Sequence, residues 1–483
     1  MTRNPERSQS SFLFPDGFLW GASTSAYQIE GSPLADGAGW SNWHRFAHTP
    51  GLVENGDTGD AACDHYRRFR KDVALMADLG LNAYRFSISW SRVLPSGVGT
   101  ANPRGLAFYD RLVDALLARG IQPFATLFHW DLPAALEDRG GWTNPDVADW
   151  FAEYSALAFR ALDDRVRFWA TLNEPWVVTD GGYLHGTLAP GHRSPFEAAI
   201  AAHNLLRAHG AAVAAYRARG RHAIGLVVNL EPKHAASKSA RDRAAAARAD
   251  AYMNRQYLDP AFRGRYPKEL PAMFGEAWPR PAPDLSDVAL PLDFLGINYY
   301  TRGVMRDAPE VPLVRAARVR QRGRAHTEMH WEVYPEGLTE TLLWVRRRYG
   351  DVPLYVTENG AAFADAPASK DLVPDAARVR YLREHLRAAH RAIEAGVDLR
   401  GYFVWSLFDN FEWSHGYSKR FGIVHVDYST QKRTPKRSAR FYAEVIRTNG
   451  VVLDALSART RSRPGPSRRR ARSRRTGRSS RRR

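Results

Sequence analysis

Short runs of apolar, β-branched and aromatic residues alternate along this chain with longer stretches rich in Ala, Leu and Arg. Eight such runs predict strands: Phe18–Ser23, Ala83–Ser89, Pro123–Phe128, Phe168–Asn173, Ile224–Leu230, Phe294–Tyr300, Leu354–Glu358 and Tyr402–Leu407. They look buried throughout rather than alternating, the pattern of parallel strands covered on both faces. Between them, Asp64–Leu79, Phe108–Arg119, Asp146–Leu162, Pro195–Arg219 and Ala376–Ala395 suit helices. Eightfold strand–helix alternation predicts an α/β fold, a (β/α)8 TIM barrel in a single domain with long βα loops. The alternative, a doubly wound open sheet, wants a Gly-rich phosphate turn after its first strand. Ala22-Ser23-Thr24-Ser25 is not one. The Arg-, Pro- and Ala-rich segment Ala308–His326 reads as a loop.

The polar residues argue for the barrel more strongly than the strand count. Gln28 lies just past the first run, His129-Trp130 after the third and Asn173-Glu174 at the end of the fourth. Asn298 and Tyr300 end the sixth, Glu358-Asn359 the seventh, and Trp405 lies on the eighth. Barrel active sites are built at the C-terminal ends of the strands, so these residues are expected to converge on one mouth. Two of them, Glu174 and Glu358, form the kind of carboxyl pair that cleaves glycosidic bonds. One carboxyl protonates the leaving oxygen while the other attacks the anomeric carbon or activates water. A lone Glu at a strand end is more often a cap or an ion-pair partner, and the pair counts for more than either member.

Composition adjusts this picture in three places. The 483 residues suit one barrel with long loops, and fourteen Trp suggest flat amphipathic surfaces such as a sugar cleft, although core packing also absorbs indoles. Cys63 is the only cysteine, so no intrachain disulfide forms, which favours a reducing compartment weakly. With no apolar run in Met1–Ser11 and no stretch of about 18 apolar residues, the expectation is a cytoplasmic protein without membrane spans. The net charge of +18 owes thirteen Arg to residues 459–483, and +5 remains without them. That segment has nothing to bury and is expected to be disordered. The domain reading is a flexible 1–11, a catalytic unit over 12–450 and the Arg-rich tail 459–483. No Cys/His cluster with zinc spacing stands out among sixteen scattered His, so neither metal nor cofactor is expected.

Seven segments then carry a resemblance. They are Phe14-Pro-Asp-Gly-Phe-Leu-Trp-Gly-Ala-Ser-Thr-Ser-Ala-Tyr-Gln28-Ile-Glu-Gly31, Tyr84-Arg-Phe-Ser-Ile-Ser-Trp-Ser-Arg92, His129-Trp-Asp-Leu-Pro133 and Thr171-Leu-Asn-Glu-Pro175, followed by Gly296-Ile-Asn-Tyr-Tyr300, Val356-Thr-Glu-Asn-Gly360 and Trp405-Ser-Leu-Phe-Asp-Asn-Phe-Glu-Trp413. Together and in this order they resemble glycoside hydrolase family 1, the β-glucosidase family, over residues 12–447. The resemblance implies a (β/α)8 barrel and a retaining β-glycosidase, most specifically a β-glucosidase. Its substrates would be terminal β-D-glucosyl residues of cello-oligosaccharides or of aryl and alkyl β-glucosides. Glu174 would be the acid/base and Glu358 the nucleophile, with Arg85 and Tyr300 supporting it. Asn173 would contact the sugar 2-hydroxyl. Gln28, His129, Trp130, Asn298, Glu412 and Trp413 would line the sugar pocket, with Trp405 beneath the ring. Trp331 resembles the aromatic on the aglycone side.

Two rivals stand beside this reading. Family relatives acting on 6-phosphosugars place a small polar residue where Glu412 stands, and carry a Lys like Lys419 but a tyrosine where this chain has Phe421. A polyanion binder acting through the Arg tail is the other; clustered Arg holds phosphate backbones by counterion release, without sequence specificity. Nothing in residues 12–447 resembles a nucleic-acid module, so no specific nucleic-acid partner is expected. A shifted reading frame in GC-rich DNA explains the tail equally well. The choice among gluco-, galacto- and fucosides stays open at this stage.

Overall fold

Eight parallel strands close into a ring: β1 (Leu19–Ser23), β2 (Ala83–Ser87), β3 (Gln122–Phe128), β4 (Phe168–Asn173), β5 (Ala223–Asn229), β6 (Phe294–Asn298), β7 (Leu354–Asn359) and β8 (Leu399–Trp405). β8 pairs with β1 to complete the barrel. The computed structural model describes residues 12–280, 283–365 and 372–453. The readings of 1–11 and of 459–483 lie outside these residues.

The strands are almost wholly buried, as their continuous apolar character requires. Their limits differ from the sequence reading in ways that have simple causes. β8 starts at Leu399, before the predicted Tyr402, because the exposed Arg400 interrupts an otherwise apolar run. β2 ends at Ser87 because the chain turns almost at once into the short helix Trp90–Val93. β6 ends at Asn298, leaving Tyr300 beyond the strand. Helix Pro195–Arg217 starts at the predicted residue, whereas Pro103–Leu117 starts five residues before the predicted Phe108, at its own cap. Asn102 and Ser194 accept hydrogen bonds from the backbone N–H groups of Arg104 and Glu197, and each cap precedes a proline.

Aromatic side chains close the barrel near the beginning of its strands. The Phe124 ring lies 5.4 Å from Phe168, 5.1 Å from Phe294 and 5.4 Å from Phe403. Gly21 admits this plug, because a Cβ there would sit 2.2 Å from the Phe403 ring.

One expectation is corrected. Segment Ala308–His326 is not all loop: Ala316–Arg318 pairs antiparallel with Gly303–Asp307, which pairs parallel with Lys233–Ala235. Two of the strands are three residues long and carry no alternation, so pairing between loops creates them.

The segment after β8, Ser406–Phe421, is held by buried charge. The Asp409 carboxylate is fully covered and accepts from Lys436 Nζ at 2.7 Å, Arg420 Nη1 at 2.9 Å and the Gly422 N–H at 3.0 Å. Lys436 also contacts Asp365, which shares Arg378 with Asp375. Removing one member of such a group strands the others uncompensated, at about 3–5 kcal/mol. Asp409→Ala is expected to lower the urea midpoint accordingly, with an unchanged slope.

Candidate active site

The middle of β2 and the C-terminal ends of β3, β4, β6, β7 and β8 deliver their polar residues into one connected group. Arg85, in the middle of β2 rather than at its end, is fully buried and its guanidinium organises the centre. It donates from Nη1 to Glu358 Oε1 at 2.6 Å, from Nη2 to Asn173 Oδ1 at 2.7 Å and from Nε to Thr126 Oγ1 at 3.1 Å. Tyr300 donates to the other oxygen of Glu358 at 2.6 Å. Across the ring, Asn298 Nδ2 donates to Glu174 Oε1 at 2.6 Å and to Asn173 Oδ1 at 3.0 Å, and Thr357 fixes its carbonyl at 2.7 Å. Glu174, directly after β4, has a left-handed φ of 47°, one of three site residues, with Trp130 and Trp413, held in that region. Such backbone persists only where surrounding contacts over-determine it. Gly360, just past Glu358, has no alternative: a Cβ would lie 1.6 Å from the Trp405 carbonyl.

A second cluster lies beside the first. Asn173 Nδ2 meets His129 Nε2 at 3.1 Å, and Trp130 Nε1 donates to the Asn173 carbonyl at 3.0 Å. The His129 ring stacks on Trp405 at 5.9 Å and Trp413 at 6.0 Å, and Trp130 lies 4.6 Å from Trp413. Gln28 is fully buried; its amide donates to the Phe411 carbonyl at 2.9 Å and to Glu412 Oε2 at 3.4 Å. Trp331 reaches the group through Tyr300, at 5.1 Å between rings, with Phe421 behind both. The structure thus brings all thirteen residues predicted for the site into one network of contacts. Sequence reasoning passed over Thr126 and Thr357, which look like ordinary β-branched strand residues, and Trp43, which packs 4.5 Å behind Trp413.

Electrostatics separates the two carboxyls. Burial pushes Glu174 well above the usual carboxyl range, the nearby charge of Glu358 adds to this, and the Asn298 hydrogen bond only partly opposes it. Burial also raises Glu358, but Arg85 and Tyr300 stabilise its ionised form. Two close carboxyls titrate as a pair, and the better-compensated member keeps the charge. A first proton therefore resides on Glu174. Glu412, buried near Glu358, is pushed up to about 8. Burial and the neighbouring Arg85 charge hold His129 well below its usual value, so its ring is neutral.

The profile of Glycosyl hydrolase family 1 matches residues 10–451. The chain belongs to that family. It is 49% identical over 443 residues to Beta-glucosidase A of Thermotoga maritima, covering 91% of this chain and 98% of the relative. It is 50% identical over 443 residues to Thermostable beta-glucosidase B of Thermobispora bispora, covering 91% of each. The solved β-glucosidase of Thermotoga maritima in complex with deoxynojirimycin superposes with a TM-score of 0.89, at 49% identity, covering 91% of this chain and 99% of that one. As a family 1 member the chain is a glycoside hydrolase, and the family's (β/α)8 barrel is the fold described above.

Proposed function

We propose that the chain is a retaining β-glucosidase in which Glu358 is the nucleophile and Glu174 the acid/base, within a catalytic unit spanning residues 12–450. The observation that carries the reading is the unequal pair: Glu358 is gripped by Arg85 and Tyr300, whereas among the described residues Glu174 has only an amide partner. A Glu358 oxygen attacks the anomeric carbon as the bond to the leaving oxygen breaks and Glu174 transfers its proton to that oxygen. The glycosyl ester cancels the Glu358 charge. Loss of that neighbouring charge lowers the pKa of Glu174, which then takes a proton from the incoming water. The sugar is released with its β configuration, and Glu174 holds the proton again.

The surrounding residues suit a pyranose. Its polar edges want hydrogen-bonding side chains and its C–H face wants an indole. Gln28, His129, Trp130, Asn298, Glu412 and Trp413 would meet the hydroxyls, Asn173 the 2-hydroxyl, Trp405 the ring face and Trp331 the aglycone. His129 Nδ1 supports this, being buried without a hydrogen-bond partner inside the barrel mouth. Names of the relatives, including the 1,4-beta-D-glucan glucohydrolase of Thermotoga neapolitana at 49% identity, favour cello-oligosaccharides and simple β-glucosides as substrates. The chemistry assigned to these side chains needs no cofactor. The single, buried Cys63 favours a reducing compartment, so we place the enzyme in the cytoplasm. No helix among the described residues is long and apolar enough to cross a membrane.

The 6-phosphate alternative turns on Glu412. Glu412 is buried beside Glu358, which pushes its carboxyl up to about 8, and its side chain fills the room that a small polar residue would leave for a 6-phosphate. Glu412→Ser is expected to lose most activity on a plain p-nitrophenyl β-glucoside and to lose less, or gain, on the 6-phosphate. Rates on a panel of p-nitrophenyl glycosides test this, and a parent enzyme preferring the 6-phosphate would sink the glucosidase reading.

A further inference from the structure

The first βα loop carries a group of side chains that the sugar chemistry does not use. The short helix Asn42–Ala47 starts from Ser41, whose hydroxyl accepts from the His44 N–H, and ends at His48. His44 and His48 therefore stand one turn apart, on the same face. Asp60, from the loop that follows, reaches both: Oδ1 lies 3.5 Å from His44 Nδ1 and Oδ2 lies 3.0 Å from His48 Nε2. One ligand atom from each residue falls within 4.8 Å of the other two.

The hydrogen-bond logic leaves this group incomplete. His48 Nδ1 meets the His44 carbonyl at 2.7 Å. A carbonyl only accepts, so Nδ1 carries the hydrogen, and in a neutral ring Nε2 is a bare lone pair. That lone pair faces a carboxylate oxygen at 3.0 Å, a contact between two acceptors unless a positive centre lies between them. His44 Nδ1 is buried, makes no hydrogen bond and points at the same carboxylate.

We propose that His44, His48 and Asp60 form a binding site for one divalent transition cation of the zinc class, with water completing its coordination. Zinc bonds of about 2.0–2.1 Å in a tetrahedron separate ligand atoms by roughly 3.3–3.4 Å, and the two imidazole nitrogens lie 3.5 Å and 3.0 Å from the two oxygens of the Asp60 carboxylate. The His48 Nδ1 contact to a carbonyl is the outer partner that orients a metal-binding imidazole. Two His four residues apart on a helix is a spacing that metal sites use, and the sequence reading passed over it. Bound there, the ion would tie the helix to the loop next to Gly59. A Cβ on Gly59 would lie 2.7 Å from the Tyr27 ring, which in turn lies parallel to Trp413 at 6.5 Å. The site would brace the wall behind the sugar pocket without touching substrate.

The test uses the full-length enzyme, stripped with EDTA and titrated with Zn2+ by calorimetry and with Co2+ by visible absorption. The expected result is one ion per chain, with Co2+ bands of four-coordinate strength. Binding should weaken at least tenfold in both His48→Gln and Asp60→Ala, whose side chains are 37% and 50% exposed and whose loss should not unfold the protein. Zn2+ at a hundredfold excess over Kd should raise the parent's thermal midpoint by about 3 °C and the variants' by much less. Activity of the metal-free variants on a β-glucoside should match the parent. Absence of stoichiometric binding, or equal binding and equal thermal shifts in parent and variants, overturns the proposal.

Discussion

A Glu358→Gly enzyme is expected to lose hydrolysis by at least about 10^4-fold in kcat/KM, on the order of 5 kcal/mol of transition-state stabilisation. Glu358 lies 3% exposed, fixed by Arg85 and Tyr300, and among the described residues no other carboxylate is so aligned by them. Glycine removes the attacking oxygen and leaves a space lined by those two donors. Azide or formate can enter it and attack the anomeric carbon from the same side. With an activated aryl β-glucoside and azide, the expected product is the α-glucosyl azide, at a partly restored rate. Product NMR reads the outcome. Rescue that yields the β-azide would mean that Glu358 is the acid/base and that the two roles are reversed.

The second large effect belongs to Glu174→Ala, and it depends on the leaving group. Proton transfer to a poor leaving group contributes about 10^2–10^4-fold, so hydrolysis of alkyl glucosides and cellobiose should fall by that order. A dinitrophenolate needs little protonation, and its first step should survive. The glycosyl ester on Glu358 should then accumulate, because no base activates water. Azide needs no base and should accelerate turnover, giving the β-glucosyl azide. Uniform loss across all leaving groups would show that Glu174 positions substrate rather than transferring a proton. The raised pKa of Glu174 has a matching sign in the parent enzyme. The proton it must hold for the first step is retained to higher pH than an ordinary carboxyl allows, so the alkaline limb moves upward.

Much of this was legible in the amino-acid order because the determinants are local. Apolar runs ending in Asn-Glu or Thr-Glu-Asn mark strands and mouth residues together, since a barrel places both at fixed offsets. Asn298 and Tyr300 could be assigned to the site from their place at the end of an apolar run, although the strand itself stops at Asn298. What escaped is non-local. The Asp409–Lys436–Asp365–Arg378 group is scattered over 72 residues and reads as ordinary solvated charge until folding buries it. The strand Ala316–Arg318 exists only because neighbouring loops pair with it. Thr126 and Thr357 look like strand formers, and only the positions of Arg85 and Asn298 give their hydroxyls work. The raised value at Glu412 has the same origin, arising from burial beside Glu358 across 54 residues of sequence.

The central claim is double displacement through Glu358 with Glu174 as acid, then base. Proton NMR of the parent enzyme acting on a β-glucoside, recorded within the first minutes, tests it most directly. The account predicts that β-glucose appears first and that the α-anomer grows in only at the rate of mutarotation. Initial release of α-glucose would contradict it.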